Sequence, residues 1–324
     1  MVVKPEQITF LGLDTSAYTT SLAIVDGEEN LLYDRRQALP VKPGSIGIRQ
    51  SDAVFLHMQN IPQLLKSIPL SLKEMNLTAL AFSGFPRPVE NSYMPVFKVG
   101  ESYAQFLARV LSIHSYHSTH QEGHLSAAKW SAGLKQGRYL LFHLSGGTTE
   151  IIDSIEITPG RFKLKILAST EDLNAGQFID RLGVKMGFSF PAGPQVEAAA
   201  KESNDPKIKL TVAVKEKKIS FSGPASQAER MLENNCNQSS LSRAIEMCIA
   251  DSMIQVVKEM NLHSGLFRGI IAFGGVIANQ FIRERIREGL KEWKLYFAEP
   301  HYSTDNAVGL AVQAGQIYRS SLKV

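Results

Sequence analysis

The sequence predicts an α/β protein built from two like-folded halves, and three observations carry that prediction. From Ile8 to Asp26, ITFLGLDTSAYTTSLAIVD reads as an apolar strand, a short polar turn and an alternating strand, and NLLYDRRQ follows the Gly27 turn as a third. The same grammar returns roughly 130 residues later in YLLFHLSGGTTEIIDSIEITPGRFKLKILAST, with Pro159-Gly160 as its second turn. Stretches of helical period lie between and after these triples. In a duplicated mixed α/β protein such turns face each other across a cleft, where amides and hydroxyls can hold phosphate oxygens. Plain β-hairpins are the alternative, against which Gly146 and Gly147 beside Ser145, Thr148 and Thr149 are unusually small and donor-rich.

A chain of 324 residues with 44% hydrophobic content can bury a large core and usually forms two domains. Its 35 basic and 31 acidic residues leave a charge of +4, which tolerates a nucleic-acid partner without demanding one. Cys236 and Cys248 form neither a C-x-x-C pair nor a disulfide framework, so the expected compartment is a reducing cytosol. Residues 1–7 carry no apolar signal core, and no run approaches the length of a membrane span. The reading is therefore soluble and cytoplasmic, with no membrane partner.

Taken in order, SDAVFLHMQNIPQLLKSI sets Val54, Phe55, Met58, Ile61, Leu64, Leu65 and Ile68 on one helical stripe, expected as core, with Ser51 and Asp52 as caps. TALAFSGF is a strand, SGFPRPVENSYMPVFKVGES is irregular, a helix runs from about Glu101 to Leu111, and SIHSYHS is a strand. LNAGQFIDRLGVKMGF is an amphipathic helix with Asp180 near a functional side, and PAGPQVEAAAKES opens another after Gly193-Pro194. KIKLTVAVKEKKISFSG predicts a hairpin whose Lys207, Lys209, Lys215, Lys217 and Lys218 form a solvated edge in preference to an RNA contact. SSLSRAIEMCIADSMIQVVKEMNL is a long buried helix. GIIAFGGVIANQFIRERIREGL is a strand, a Gly274-Gly275 turn and a helix, where a flat ligand can lie on bare backbone. Asp305 falls at the opening turn of the last helix, positioned to cap it or to reach a distant partner.

Between the halves, HSTHQEGHLSAAKW holds His120 and His124 four apart, which on a helix stacks both imidazoles on one face within reach of a single ion. Two unrelated histidines at an exposed helix start fit these residues equally well. Glu122 stands at the third place, not directly after the first histidine as in H-E-x-x-H zinc proteases.

Read together, FLGLDTSAYTTSLAIVD, HQEGHLSAA, LSGGTTEI, GQFIDRLGVKMGFSFPAGP, SFSG, FGGVIANQFIR and STDNAVGLA resemble, in order and spacing, the TsaD (YgjD, Kae, Gcp) family of the actin-like ATPase superfamily. The resemblance covers nearly the whole chain. It implies the actin-like, ribonuclease H-like fold in two duplicated lobes, 1–134 and 135–324, the last helix (about 304–321) packing back on the first lobe. It implies metal-dependent transfer of a threonylcarbamoyl or carbamoyl group from its adenylate to adenosine in tRNA. It further implies one iron or zinc ion on His120, His124 and Asp305, and an ATP or adenylate ligand. Ser145, Gly146, Gly147 and Thr148 fall on the family's phosphate loop, Asp180 on its ribose-contacting aspartate, and Gly193 on the following turn. Glu197 stands where an aspartate is usual, and Gly274, Gly275 and Asn279 fall on the adenosine-contacting motif. Implied partners are an adenine nucleotide, tRNA, and a TsaB-like subunit or a second copy.

The chain departs from the family in several places. Asp14-Thr15-Ser16-Ala17-Tyr18-Thr19 lacks the acid expected after Ser16, and GFPRPVENSYMPVFKVG replaces a Gly-rich loop. Thr148 stands where histidine is common, and SFSGPAS lacks the usual lysine. These departures make a non-catalytic nucleotide-binding assembly subunit the alternative function. A metalloprotease, a label once attached to the family, fits the position of Glu122 poorly.

Overall fold

The two strand triples are present at the positions the alternation marks. In the computed structural model, which describes residues 8–322 apart from 17, 42–47, 70, 90–91, 204–207 and 213, the order is β1 (Thr9–Thr15), β2 (Thr19–Asp26), β3 (Leu31–Ala38), α1 (Gln50–Lys66), β4 (Leu77–Phe85), α2 (Pro95–Leu111), β5 (His114–Thr119) and α3 (His120–Ser131). Next come β6 (Arg138–Leu144), β7 (Thr149–Thr158), β8 (Arg161–Thr170), α4 (Ala175–Lys185), α5 (Gly193–Lys201), β9 (Val214–Lys215), β10 (Lys218–Ile219), α6 (Ser222–Glu233) and α7 (Gln238–Met260). The chain closes with β11 (Ile270–Phe273), α8 (Gln280–Gly289), β12 (Leu295–Phe297), α9 (Pro300–Ser303) and α10 (Val308–Ser321).

It divides into two compact units, one of residues 1–136, 156–163 and 304–324, the other of 137–155 and 164–303. The first holds a five-stranded sheet in the order β3-β2-β1-β4-β5, the second a seven-stranded sheet in the order β12-β11-β6-β7-β8-β10-β9. In each, an antiparallel triple is continued on its first strand by a parallel pair: β1 runs antiparallel to β2 and parallel to β4, and β6 antiparallel to β7 and parallel to β11. Orders 3-2-1-4-5 and 8-7-6-11-12 are one topology written twice.

Each unit packs its own core. In the first, Leu11, Leu13, Leu22 and Ile24 from the triple meet Ile61 and Leu64 of α1 and Leu80 and Phe82 of β4. In the second, Phe142, Phe178, Phe221 and Ile245 anchor a larger cluster, with the Phe178 and Phe221 rings stacked at 5.1 Å. Each such side chain removed from water contributes on the order of 1.5–3 kcal/mol.

Several expectations need correction. The buried residues of α1 are Ala53, His57, Asn60, Ile61 and Leu64, while Phe55 and Met58 are 59% and 51% exposed. The sheet presents polar partners on this side, so a histidine and an asparagine occupy positions periodicity would give to apolar residues. Arg49 is the N-cap, without a side-chain cap bond, in place of Ser51 or Asp52. α2 begins at Pro95, whose ring suits a first helical turn, earlier than Glu101. Among the described residues the lysine hairpin is confined to the two-residue strands β9 and β10, joined by a tight turn in which Glu216 and Lys217 both adopt positive φ. Asp305 precedes α10 and does not lie in its first turn; Asn306 Oδ1 accepts from the Val308 N–H instead. Readings that fell on residues 1–7, Ala17, Glu90, Asn91 and Lys207 lie outside the described residues.

Candidate metal centre and ligand-facing turns

α3 starts at a firmly set point. Thr119 caps it: the Glu122 N–H donates to Thr119 Oγ1 (3.2 Å), and the Glu122 carboxylate accepts from the Thr119 N–H (3.0 Å). Such a capping box is worth about 1 kcal/mol and fixes the first turn. His120 and His124 thereby project from one face, and Glu122 is committed to the cap.

The structure brings Asp305 to both. His120 Nε2 lies 3.1 Å from His124 Nε2, and Asp305 Oδ1 lies 3.5 Å and 3.4 Å from the two nitrogens. Bonds of about 2.0–2.2 Å to one ion at tetrahedral or octahedral angles require ligand separations of roughly 2.8–3.6 Å. All three edges fall inside that range, and two imidazoles with one carboxylate suit zinc or iron. Among the described residues this is the one group of three such side chains whose ligand atoms converge.

Asp14, at the end of β1, was not among the expected site residues. Its carboxylate is buried, accepts from the Ser83 hydroxyl, and sits with both oxygens 3.1 Å from His120 Nδ1. A carboxylate only accepts, so Nδ1 carries the proton and Nε2 presents its lone pair to the triangle when the ring is neutral. The signal available in the sequence was a lone acid ending an otherwise apolar strand. Ser16 adds a second hold: its hydroxyl donates to Asp305 Oδ2 at 2.5 Å.

Electrostatics without an ion follow from this packing. Burial pushes His120 down, but the neighbouring Asp14 and Asp305 carboxylates outweigh it and raise the ring to about 10. Burial and the charge on His120 hold His124 below its ordinary value. Burial pushes Asp305 up, yet bonds from both histidines carry it well below the carboxylate range. A cation at His120 Nε2 would compete with a proton for the same lone pair.

The other expected site residues all belong to the second unit. Ser145–Thr148 closes a tight turn, with the Ser145 N–H donating to Thr148 O (2.8 Å) and the Thr148 N–H to Ser145 Oγ (3.0 Å). It lies on the N-terminus of α4: the Gly176 N–H donates to Ser145 O (3.1 Å), and a Cβ on Gly176 would fall 2.7 Å from Gly146. Above Gly146 and Gly147, as above Gly193 and Gly275, a Cβ would meet nothing within 4 Å. Asp180 accepts from the Ala192 N–H (2.7 Å), and burial raises its pKa. Glu197 accepts from the Gln280 N–H (3.1 Å). Gly274 has φ of 100° and donates its N–H to Ser303 O (3.1 Å). Asn279 caps α8 through Oδ1 (2.9 Å to the Ile282 N–H) and donates Nδ2 to Glu246 (2.6 Å), so both ends of its amide are engaged inside the unit.

Residues 92–312 match the family model described as TsaD: tRNA N6-adenosine threonylcarbamoyltransferase. The chain belongs to the TsaD family. It is 27% identical to a probable bifunctional tRNA threonylcarbamoyladenosine biosynthesis protein of Thermoplasma volcanium, over 97% of this chain and 57% of that one. The chain thus spans little more than half the length of that relative. It is 26% identical to the tRNA N6-adenosine threonylcarbamoyltransferase of Thermus thermophilus, over 94% of this chain and 91% of that one. Among solved structures, component A of the (R)-2-hydroxyglutaryl-CoA dehydratase of Acidaminococcus fermentans is similar with a TM-score of 0.60 at 13% identity, covering 96% of this chain and 99% of that one. That likeness shows the fold alone, the actin-like α/β arrangement. Among the described residues no helix is long and apolar enough to cross a membrane.

Proposed function

We propose that this TsaD-family chain transfers a threonylcarbamoyl group from its adenylate to adenosine in tRNA, in the cytoplasm, on a site holding one zinc or iron ion. The observation that carries this reading is the triangle of His120 Nε2, His124 Nε2 and Asp305 Oδ1, with edges of 3.1–3.5 Å. An ion bound there would supply Lewis-acid polarisation of a substrate oxygen. Asp14 holds the His120 ring in register for that role, and Ser16 holds Asp305. The Ser145–Thr148 turn offers open backbone over Gly146 and Gly147 at a helix N-terminus, a position suited to the adenylate phosphate. The open backbone at Gly193 and Gly275 suits the flat adenine, with Asp180 as the ribose contact. Neither cysteine is an activated nucleophile: burial pushes the Cys248 thiol up to about 12, and Cys236 is also raised.

Unmodified tRNA incubated with threonylcarbamoyl-adenylate and the protein, with a TsaB-like subunit supplied, should yield the modified nucleoside by mass spectrometry. His124→Ala should abolish product and bound metal while keeping cooperative unfolding. Nucleotide binding with no product under these conditions would reject transfer and favour a non-catalytic assembly subunit. Proteolysis is disfavoured because Glu122 serves the helix cap.

A further inference from the structure

The first unit contains a polar chain that neither the metal triangle nor the ligand-facing turns account for. It starts on the inner face of α1, where His57 and Asn60 are buried, and runs through Thr20 and Ser16, buried as well. Asn60 Nδ2 donates to Thr20 Oγ1 (3.0 Å), Thr20 Oγ1 lies 2.8 Å from His57 Nδ1, and His57 Nε2 lies 2.8 Å from the Ser16 carbonyl oxygen.

Chemistry orders the protons along it. The Ser16 carbonyl only accepts, so His57 Nε2 carries the hydrogen. In the neutral ring Nδ1 must then accept, and the Thr20 hydroxyl supplies that hydrogen while its lone pair takes the Asn60 amide. Every member donates toward Ser16, and burial, the first cause of its lowered pKa, keeps the His57 ring neutral. The chain ends at the residue whose hydroxyl donates to Asp305 Oδ2 at 2.5 Å, while Oδ1 of the same carboxylate faces the two histidine nitrogens. A competing acceptor for that hydroxyl, Thr19 O, lies farther off at 3.3 Å. Arg36 holds the Asp305 main chain through its carbonyl oxygen (3.3 Å) but leaves the carboxylate rotation undetermined. The Ser16 hydroxyl is the donor to Oδ2, and His57 grips the Ser16 carbonyl while the Ser16 N–H bonds Thr19 O (3.2 Å).

We propose that His57 is a positioning residue for the metal-binding carboxylate: through the Ser16 carbonyl it fixes the Ser16 hydroxyl, and so the angle at which Asp305 meets a divalent cation. The proposal rests on the metal-centre reading above. It touches no reacting atom, and it separates His57 from an ordinary core histidine by what it predicts for metal affinity.

The test is Zn2+ binding to the metal-free full chain, by calorimetry with a competing chelator, alongside thermal unfolding. His57→Phe should weaken Zn2+ at least tenfold. His57→Gln, whose amide can donate toward Ser16 and accept from Thr20, should stay within about threefold of the parent. Ser16→Ala should weaken binding to a similar degree, and adding His57→Phe to Ser16→Ala should cost little more, because both act through one hydroxyl. If His57→Phe fails to fold, Thr20→Val, which removes the hydroxyl that sets the ring tautomer, carries the same expectation of weakened Zn2+. Unchanged affinity in a folded His57→Phe or Thr20→Val, or fully additive losses in the double variant, overturns the proposal. A parent chain that binds no Zn2+ overturns it together with the metal-centre reading.

Discussion

Gly309 of α10 packs backbone to backbone on Gly123 of α3: a Cβ on Gly309 would lie 1.9 Å from the Gly123 carbonyl oxygen and 2.5 Å from the Ala127 nitrogen. Gly123 sits between His120 and His124, and Gly309 follows Asp305 by four residues. This contact brings the late carboxylate to the early histidines. Gly309→Ala should therefore destabilise the chain by about 1–3 kcal/mol or more in urea unfolding, and weaken Zn2+ binding. Gly223→Ala, where a Cβ meets nothing within 4 Å, should leave the urea midpoint unchanged or slightly raised. Equal behaviour of the two variants would refute the close-packing argument.

Asp14 orients His120 from outside the triangle. Asp14→Asn keeps the shape but removes the charge and offers Nδ1 a mixed donor and acceptor. Loss of such a partner ordinarily lowers metal affinity 10–100-fold, and that loss is expected here by competition titration. A variant that binds Zn2+ as tightly as the parent would remove Asp14 from the site.

Glu246 links pH to stability in the second unit. Burial raises its carboxyl from 4.5 to about 7, although Asn279 and Arg243 pull it down. The folded state thus binds this proton more tightly than the unfolded one. Its stabilising contribution is complete below about 4.5 and is lost as pH rises through about 7. Glu246→Gln should flatten that part of the stability profile, a change of roughly 1–3 kcal/mol across the window. A profile that keeps its slope would assign the proton elsewhere.

The turn at Ser145–Thr148 allows a paired test of ligand approach. Gly146→Ala has room for its methyl and should unfold at the parent's midpoint, yet weaken AMP or ATP binding at least tenfold in calorimetry. Gly176→Ala should instead destabilise the fold, because its methyl would be driven to 2.7 Å from the Gly146 nitrogen and Cα. Nucleotide affinity untouched by Gly146→Ala would place the phosphate elsewhere.

Local pattern made much of this architecture legible. Alternation placed β1–β3 and β6–β8, and the repeated strand–turn–strand grammar foretold the topology shared by the two sheets. The i, i+4 spacing of His120 and His124 foretold a shared helix face, because helix geometry alone sets it. Less was legible wherever a residue's role depends on a distant neighbour. The stripe through Phe55 and Met58 has helical period, yet the helix turns Ala53, His57 and Asn60 inward, since β2 and the turn before it offer Thr20 and Ser16 as partners.

The sequence by itself determined the two strand triples, which turns are bare of side chains, and which two imidazoles share a helical turn, for those properties are decided within about ten residues. Tertiary structure alone decided that Asp305 meets them, that Asp14 orients one ring, and that His57 reaches the same carboxylate through Ser16. Those relationships arise from the contact of two glycine backbones and from the register of β1 against β2 and β4. Close packing and sheet register bring together residues far apart in the chain, and no local periodicity encodes them.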